Sequence, residues 1–95
     1  MADAAERRSK VSILKDILQT IQDKGGSVRP THILYGANLS HDRLKKYLES
    51  LASEGFIIRK GDDGQSFYSL TKKGVEFLGT YYKMNRFFKA FGVGV

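Results

Sequence analysis

The chain has 95 residues, with 16 Lys and Arg against 10 Asp and Glu, a formal charge of +6, and no cysteine. That suits one domain with a small core and a polyanionic partner. It excludes disulfides, thiolate metal sites and a cysteine nucleophile, and no apolar run approaches the roughly 20 residues that span a bilayer.

Residues 1–8 read as a small, polar, flexible tail. No apolar segment follows its arginines, so no signal peptide is expected and the protein is expected in the cytoplasm. Arg7, Arg8 and Lys10 fit a basic arm reaching for phosphate, and fit a solubilising tail equally well. Ser9 then precedes a helix to about Lys24. Val11, Leu14, Ile17, Leu18 and Ile21 form its apolar stripe, Ile13 flanks it, and Gly25-Gly26 stops it. Ser27-Val28-Arg29 suits a minor strand. Pro30 suits the first turn of a short helix to Tyr35 that buries Ile33 and Leu34. Gly36-Ala37-Asn38 is turn chemistry.

The third helix is the centre of the chain. Ser40 is its N-cap and Gly55 its stop. Leu44, Tyr47, Leu48 and Leu51 recur at three- and four-residue steps and make one buried stripe. His41, Asp42, Arg43, Lys45, Lys46, Glu49 and Ser50 point away from it. Two helices joined by a tight turn, the second with a basic outer face, make a helix-turn-helix. An ordinary amphipathic helix with a solvated face has the same pattern.

Phe56–Lys60 and Gln65–Leu70 read as strands around Gly61-Asp62-Asp63-Gly64, a strong hairpin signal. A hairpin placed there is a wing. Thr71 caps a last helix, about Lys72 to Phe91. It shows two apolar stripes: Val75, Leu78 and Tyr82, then Phe77, Tyr81, Met84, Phe88 and Phe91, with Phe87 nearby. One stripe can pack on the domain. The second is expected to pair with its copy across a two-fold axis. Folding back onto the first helix is an alternative. So is membrane-surface binding, with Lys83, Arg86 and Lys89 beside the aromatics. Residues 92–95 read as loose. The fold class is therefore α+β, mainly helical: a winged helix-turn-helix over residues 9–71 with a C-terminal dimerisation helix over 72–91.

Two stretches carry a closer resemblance. Ile33-Leu34-Tyr35-Gly36-Ala37-Asn38-Leu39-Ser40, followed by Leu44, Tyr47, Leu48 and Leu51, resembles a family of small archaeal winged-helix proteins. Phe67-Tyr68-Ser69-Leu70-Thr71-Lys72-Lys73-Gly74 with Phe77-Leu78 is similar to the same family's junction between strand and last helix. These are DNA-binding proteins of about ten kilodaltons, counted as chromatin-associated or as transcriptional regulators. The resemblance implies double-stranded DNA as partner and a homodimer joined through the C-terminal helices as an antiparallel coiled coil. It also implies a third helix in the major groove and a wing on the neighbouring backbone. At matching positions it implies contacts from Ser40, His41, Arg43, Lys45 and Lys46 of the third helix. Arg29, Thr31 and His32 would lie near phosphate, and Arg59, Lys60 and Gln65 would act from the wing. Asp62-Asp63 at the wing tip repels phosphate, which shifts weight to Arg59 and Lys60 at its base.

An enzyme is not expected. His32 and His41 lack the i, i+4 spacing of a helical metal pair, and Ser40 has no nearby base. Asp62-Asp63 reads as a turn former, and Gly61–Gly64 is no phosphate-binding loop. No cofactor or metal is implied. The rival to DNA binding is a winged helix used as a protein–protein module. RNA ranks below both, since no paired aromatics face solvent from the strands.

Overall fold

Ser9 opens the fold as expected: its hydroxyl accepts a hydrogen bond from the Ser12 amide at 3.0 Å. The helix it caps, α1, spans Lys10–Asp23. The computed structural model describes residues 9–25, 27–61 and 65–92. The expected tail at 1–8, the wing-tip acids Asp62 and Asp63, and residues 93–95 lie outside them. After α1 come β1 (Ser27–Val28), α2 (Pro30–Ala37), α3 (His41–Ser53), β2 (Ile57–Lys60), β3 (Phe67–Leu70) and α4 (Lys72–Ala90). The strands form one antiparallel sheet in the order β1-β3-β2. The β2–β3 hairpin is the wing.

The core is built from one face of every helix. Ile13, Ile17, Leu18 and Ile21 of α1 meet Ile33 and Ala37 of α2, Leu44, Leu48 and Leu51 of α3, and Leu78 of α4, closed by Val28, Leu39 and Ile57. Two expectations on α1 change places. Ile13 is buried, and Val11 is 44% exposed at the helix end.

The second helix runs two residues past Tyr35, so Gly36 and Ala37 are helical and only Asn38 turns, at φ 54°. Gly36 is there for proximity. A Cβ on it would sit 2.5 Å from Thr20 Oγ1 on α1, and that hydroxyl donates to the Asp16 carbonyl at 2.8 Å. Glycine lets the backbones of α1 and α2 come together.

The junction into α4 is a knot of local bonds. Thr71 Oγ1 donates to the Gly55 carbonyl at 2.6 Å and accepts from the Gly74 amide at 3.1 Å. Lys73 Nζ donates to the Glu54 carbonyl at 2.7 Å, satisfying an acceptor at the end of α3. The same ammonium stands 4.6 Å from the Phe56 ring centroid. Any side chain at Gly74 would collide with the Phe56 carbonyl oxygen.

Along α4 the two expected stripes are cut differently. Phe77 belongs to the inward face, edge-on to Phe56 with centroids 5.6 Å apart, and Val75 is 46% exposed. The body reaches around the start of α4 and covers Phe77, which a helical wheel alone cannot register. Further along, Tyr82 donates its hydroxyl hydrogen to Gln19 Oε1, and Lys15 Nζ lies 5.6 Å from the Tyr81 ring centroid. Of the second stripe, then, Tyr81 borders α1, whereas Tyr82 at Gln19 belongs to the first stripe and Phe77 packs on Phe56. Burial draws the Lys15 pKa down. The hydrogen bond and charge of Asp16, 2.6 Å away, together with Tyr82 and Tyr81, outweigh it and leave the pKa above its ordinary value.

Candidate nucleic-acid interface

The three buried leucines of α3 fix which way its other side chains face. Leu44, Leu48 and Leu51 point into the body. With 100° per residue, the outer surface divides into two flanks. His41, Lys45 and Glu49, four residues apart, turn toward the wing. Arg43, Lys46 and Ser50 turn toward α1.

On the wing side a cleft of ≈ 370 Å³ separates α3 from the hairpin. Leu44, Leu48, Pro30 and Tyr68 form apolar parts of its lining, and His41, Lys45, Glu49, Arg59 and Ser66 supply the polar ones. Arg59 stands opposite Tyr68 in the β2–β3 register, so both side chains leave the same face of the sheet. Its Nη2 donates to Ser66 Oγ at 2.8 Å, which holds the guanidinium along the hairpin. On the α1 side, Lys10, Arg43, Lys46, Tyr47 and Ser50 line a second groove. Its titratable groups are three cations and one phenol, and it contains no acid.

The residues expected at the site fall into groups. The wing cleft brings together His41, Lys45 and Arg59. The opposite groove takes Arg43 and Lys46. Ser40 Oγ accepts from the Arg43 amide at 3.3 Å, so its hydroxyl caps α3. Thr31 and His32 are exposed on the first turn of α2. Arg29, just before that turn, places its guanidinium 5.3 Å from the Phe67 ring centroid and so leans on the base of the wing. Lys60 and Gln65 are exposed on the hairpin and line neither cleft.

Sequence reasoning left Ser66 and Tyr68 out of the site. The register that puts Tyr68 across from Arg59 was the available signal, since a hairpin with known turn ends fixes its cross-strand pairs. Lys10 joins the α3 groove through α1, where the sequence suggested a free arm.

A second candidate surface lies at the far end of α4. Met84, Phe87 and Phe91 are 43%, 57% and 70% exposed. Phe87 lies 4.8 Å from Phe91 with the rings tilted and 5.7 Å edge-on from Phe88, so the three rings form one cluster. Tyr81 and Phe88 are half-buried. Of the five residues expected at a dimer interface, Met84, Phe88 and Phe91 belong to this end. Tyr81 borders α1, and Phe77 lies against the body. Among the described residues, no helix is long and apolar enough to cross a membrane.

Residues 7–89 match the winged helix-turn-helix family. The chain is 30% identical over 78 residues to the uncharacterised protein MJ0287 of Methanocaldococcus jannaschii, covering 82% of this chain and 74% of that one. Its fold superposes on Sso10a-2, a DNA-binding protein from Sulfolobus solfataricus, with a TM-score of 0.78. The identity there is 23%, and the match covers 88% of this chain and 85% of the other. It also superposes on TubR of Bacillus thuringiensis, whose structure is bound to 24 bp of tubC. That TM-score is 0.66 at 20% identity, covering 84% and 89% of the two chains. At such identities these two structures establish the shared fold.

Proposed function

The chain belongs to the winged helix-turn-helix family, and from that premise we propose that it is a DNA-binding protein, a homodimeric transcriptional regulator or chromatin-associated protein. The observation that carries this is the arrangement of cations on both flanks of α3, with Lys45 and Arg59 across one cleft and Lys10, Arg43 and Lys46 along the other. A helix lying in a major groove about 12 Å wide has a phosphate backbone on either side of it. The cations of each flank then meet one backbone, while the outermost part of α3 between them faces the groove floor, and the released counterions supply affinity.

In this arrangement Arg29, Thr31, His32, Lys60 and Gln65 act at the edges, from the start of α2 and from the wing. Ser40 holds the first turn of α3. The work is binding, and no residue is assigned a catalytic step. Two copies join through the far end of α4, where Met84, Phe88 and Phe91 together with Phe87 form the contact. A protein that binds DNA in this way works at the nucleoid in the cytoplasm.

The test is titration of a mixed-sequence duplex of about 20 base pairs, two helical turns, at several salt concentrations, with the mass of the bound species recorded. Three phosphates per subunit predict a salt slope of about −5 for the dimer. Lys45→Glu together with Lys46→Glu weakens binding to every sequence, since one charge is reversed on each flank. Absence of binding at low salt removes the DNA reading and favours a protein partner on α3.

A further inference from the structure

Among the described residues, Glu49 is the one carboxylate lining the wing-side cleft, whose other polar walls are His41, Lys45, Arg59 and Ser66. It is exposed, and no hydrogen bond or ion pair engages it among the described residues. Arg59 gives one N–H to Ser66 and forms no ion pair with Glu49. Lys45, one turn earlier, is in the weaker order for a helical ion pair, and none forms. Glu49 lies two turns into α3, beyond the first turn where a carboxylate would gain from the helix dipole. Among the described residues nothing holds it in the cleft, and its charge opposes the phosphates that the neighbouring cations attract.

We propose that Glu49 selects bases: its carboxylate accepts a hydrogen bond from the N4 amino group of a cytosine exposed in the major groove. This rests on the DNA-binding reading of the same cleft. An ionised carboxylate only accepts hydrogen bonds. Phosphates, guanine O6 and N7 and thymine O4 offer only acceptors, so they repel it. Adenine offers an amino group beside the N7 acceptor, which repels the second carboxylate oxygen. Cytosine offers its amino group without such a neighbour on the same base. The cations of the cleft fix the helix against the backbone, and Glu49 then costs affinity wherever no amino group faces it. The protein is accordingly sequence-selective, by exclusion as much as by attraction.

The experiment is selection from a randomised duplex pool by the full chain and by its Glu49→Ala and Glu49→Gln variants. Affinities are then measured for the best site of the unaltered chain and for the same site with its cytosine pair changed to T·A. The unaltered chain selects a cytosine and loses about tenfold on the exchange. Glu49→Ala selects no base at that position, and it binds the T·A site at least as tightly as the unaltered chain does. Glu49→Gln shifts the preference toward adenine, whose N6 and N7 match an amide. If Glu49→Ala selects the same cytosine, or if the unaltered chain binds all duplexes alike, the proposal is overturned while DNA binding stands. If the unaltered chain retains no duplex at low salt, the DNA-binding reading fails and this proposal fails with it.

Discussion

The first half of α4 and its second half carry similar side chains in different surroundings. Leu78 is buried, Phe77 lies edge-on to Phe56, and Tyr82 is bonded to Gln19 on α1. Farther along, Met84, Phe87 and Phe91 are open to solvent, and the ring contacts of the two phenylalanines stay within the helix end. The sequence is aromatic throughout, so composition does not distinguish the halves. The distinction comes from where α1 and the wing end. The first half completes the core of the chain, and the second leaves apolar side chains uncovered, which the proposed pairing of two copies would bury.

The sharpest way to break this contrast is to truncate one residue in each half. Leu78→Ala removes a buried side chain where α4 packs on α1. It should cost about 2–5 kcal/mol of unfolding free energy in urea, at any protein concentration. A loss under about 0.5 kcal/mol would mean that α4 is not part of the core.

In the second half, Phe87→Ser with Phe91→Ser should leave the single chain folded with nearly unchanged stability, because both rings are exposed. Self-association should weaken at least tenfold, read as mass against concentration by sedimentation or light scattering, since each fully buried ring contributes about 1.5–3 kcal/mol. Undiminished dimer mass would move the interface elsewhere.

The smallest effect sits at the border between the halves, where Lys15 and Asp16 of α1 adjoin Tyr81 and Tyr82. The Lys15 pKa is higher folded than unfolded. Its contribution to stability is therefore complete below the unfolded value, near 10.4, and is lost as pH rises through the folded one. Lys15→Met, which cannot titrate, should show a flatter fall in melting temperature above about pH 10 than the unaltered chain. Identical alkaline profiles would show that the Asp16 contact is too solvated to matter.

Much of this architecture is written in local chemistry. Ser40 and Thr71 mark two helix starts by their capping oxygens and each makes its expected bond, and Ser9, which precedes the first helix, caps it in the same way. The hairpin is legible because strand-like runs flank a turn-forming tetrapeptide. What the sequence hides is tertiary. Gly36 looks like a turn residue because glycine often is one, yet it serves a close approach to Thr20 that no neighbour in sequence announces. Val11 and Ile13 exchange roles, as do Val75 and Phe77, because a helical wheel gives a period without saying how far the body wraps around the helix ends. At the candidate interface, the outward face of α3 was legible as a face. Its division into a wing flank and an α1 flank was not, since that depends on which elements border it.

The bonds at the start of α4 have a mechanical consequence. Thr71 grips the Gly55 carbonyl, and Lys73 grips that of Glu54, immediately after α3. A helix clamped to its neighbour at one end and rising 1.5 Å per residue acts as a stiff lever. A torque applied at Phe91, by a partner chain or by a bound molecule, would be carried back along α4 to its packing on α1 and to this clamp beside α3. A pair of such chains would set the distance between its two α3 helices by the angle at which the levers cross. A strain at the hydrophobic end would then read out as a change of register at the other.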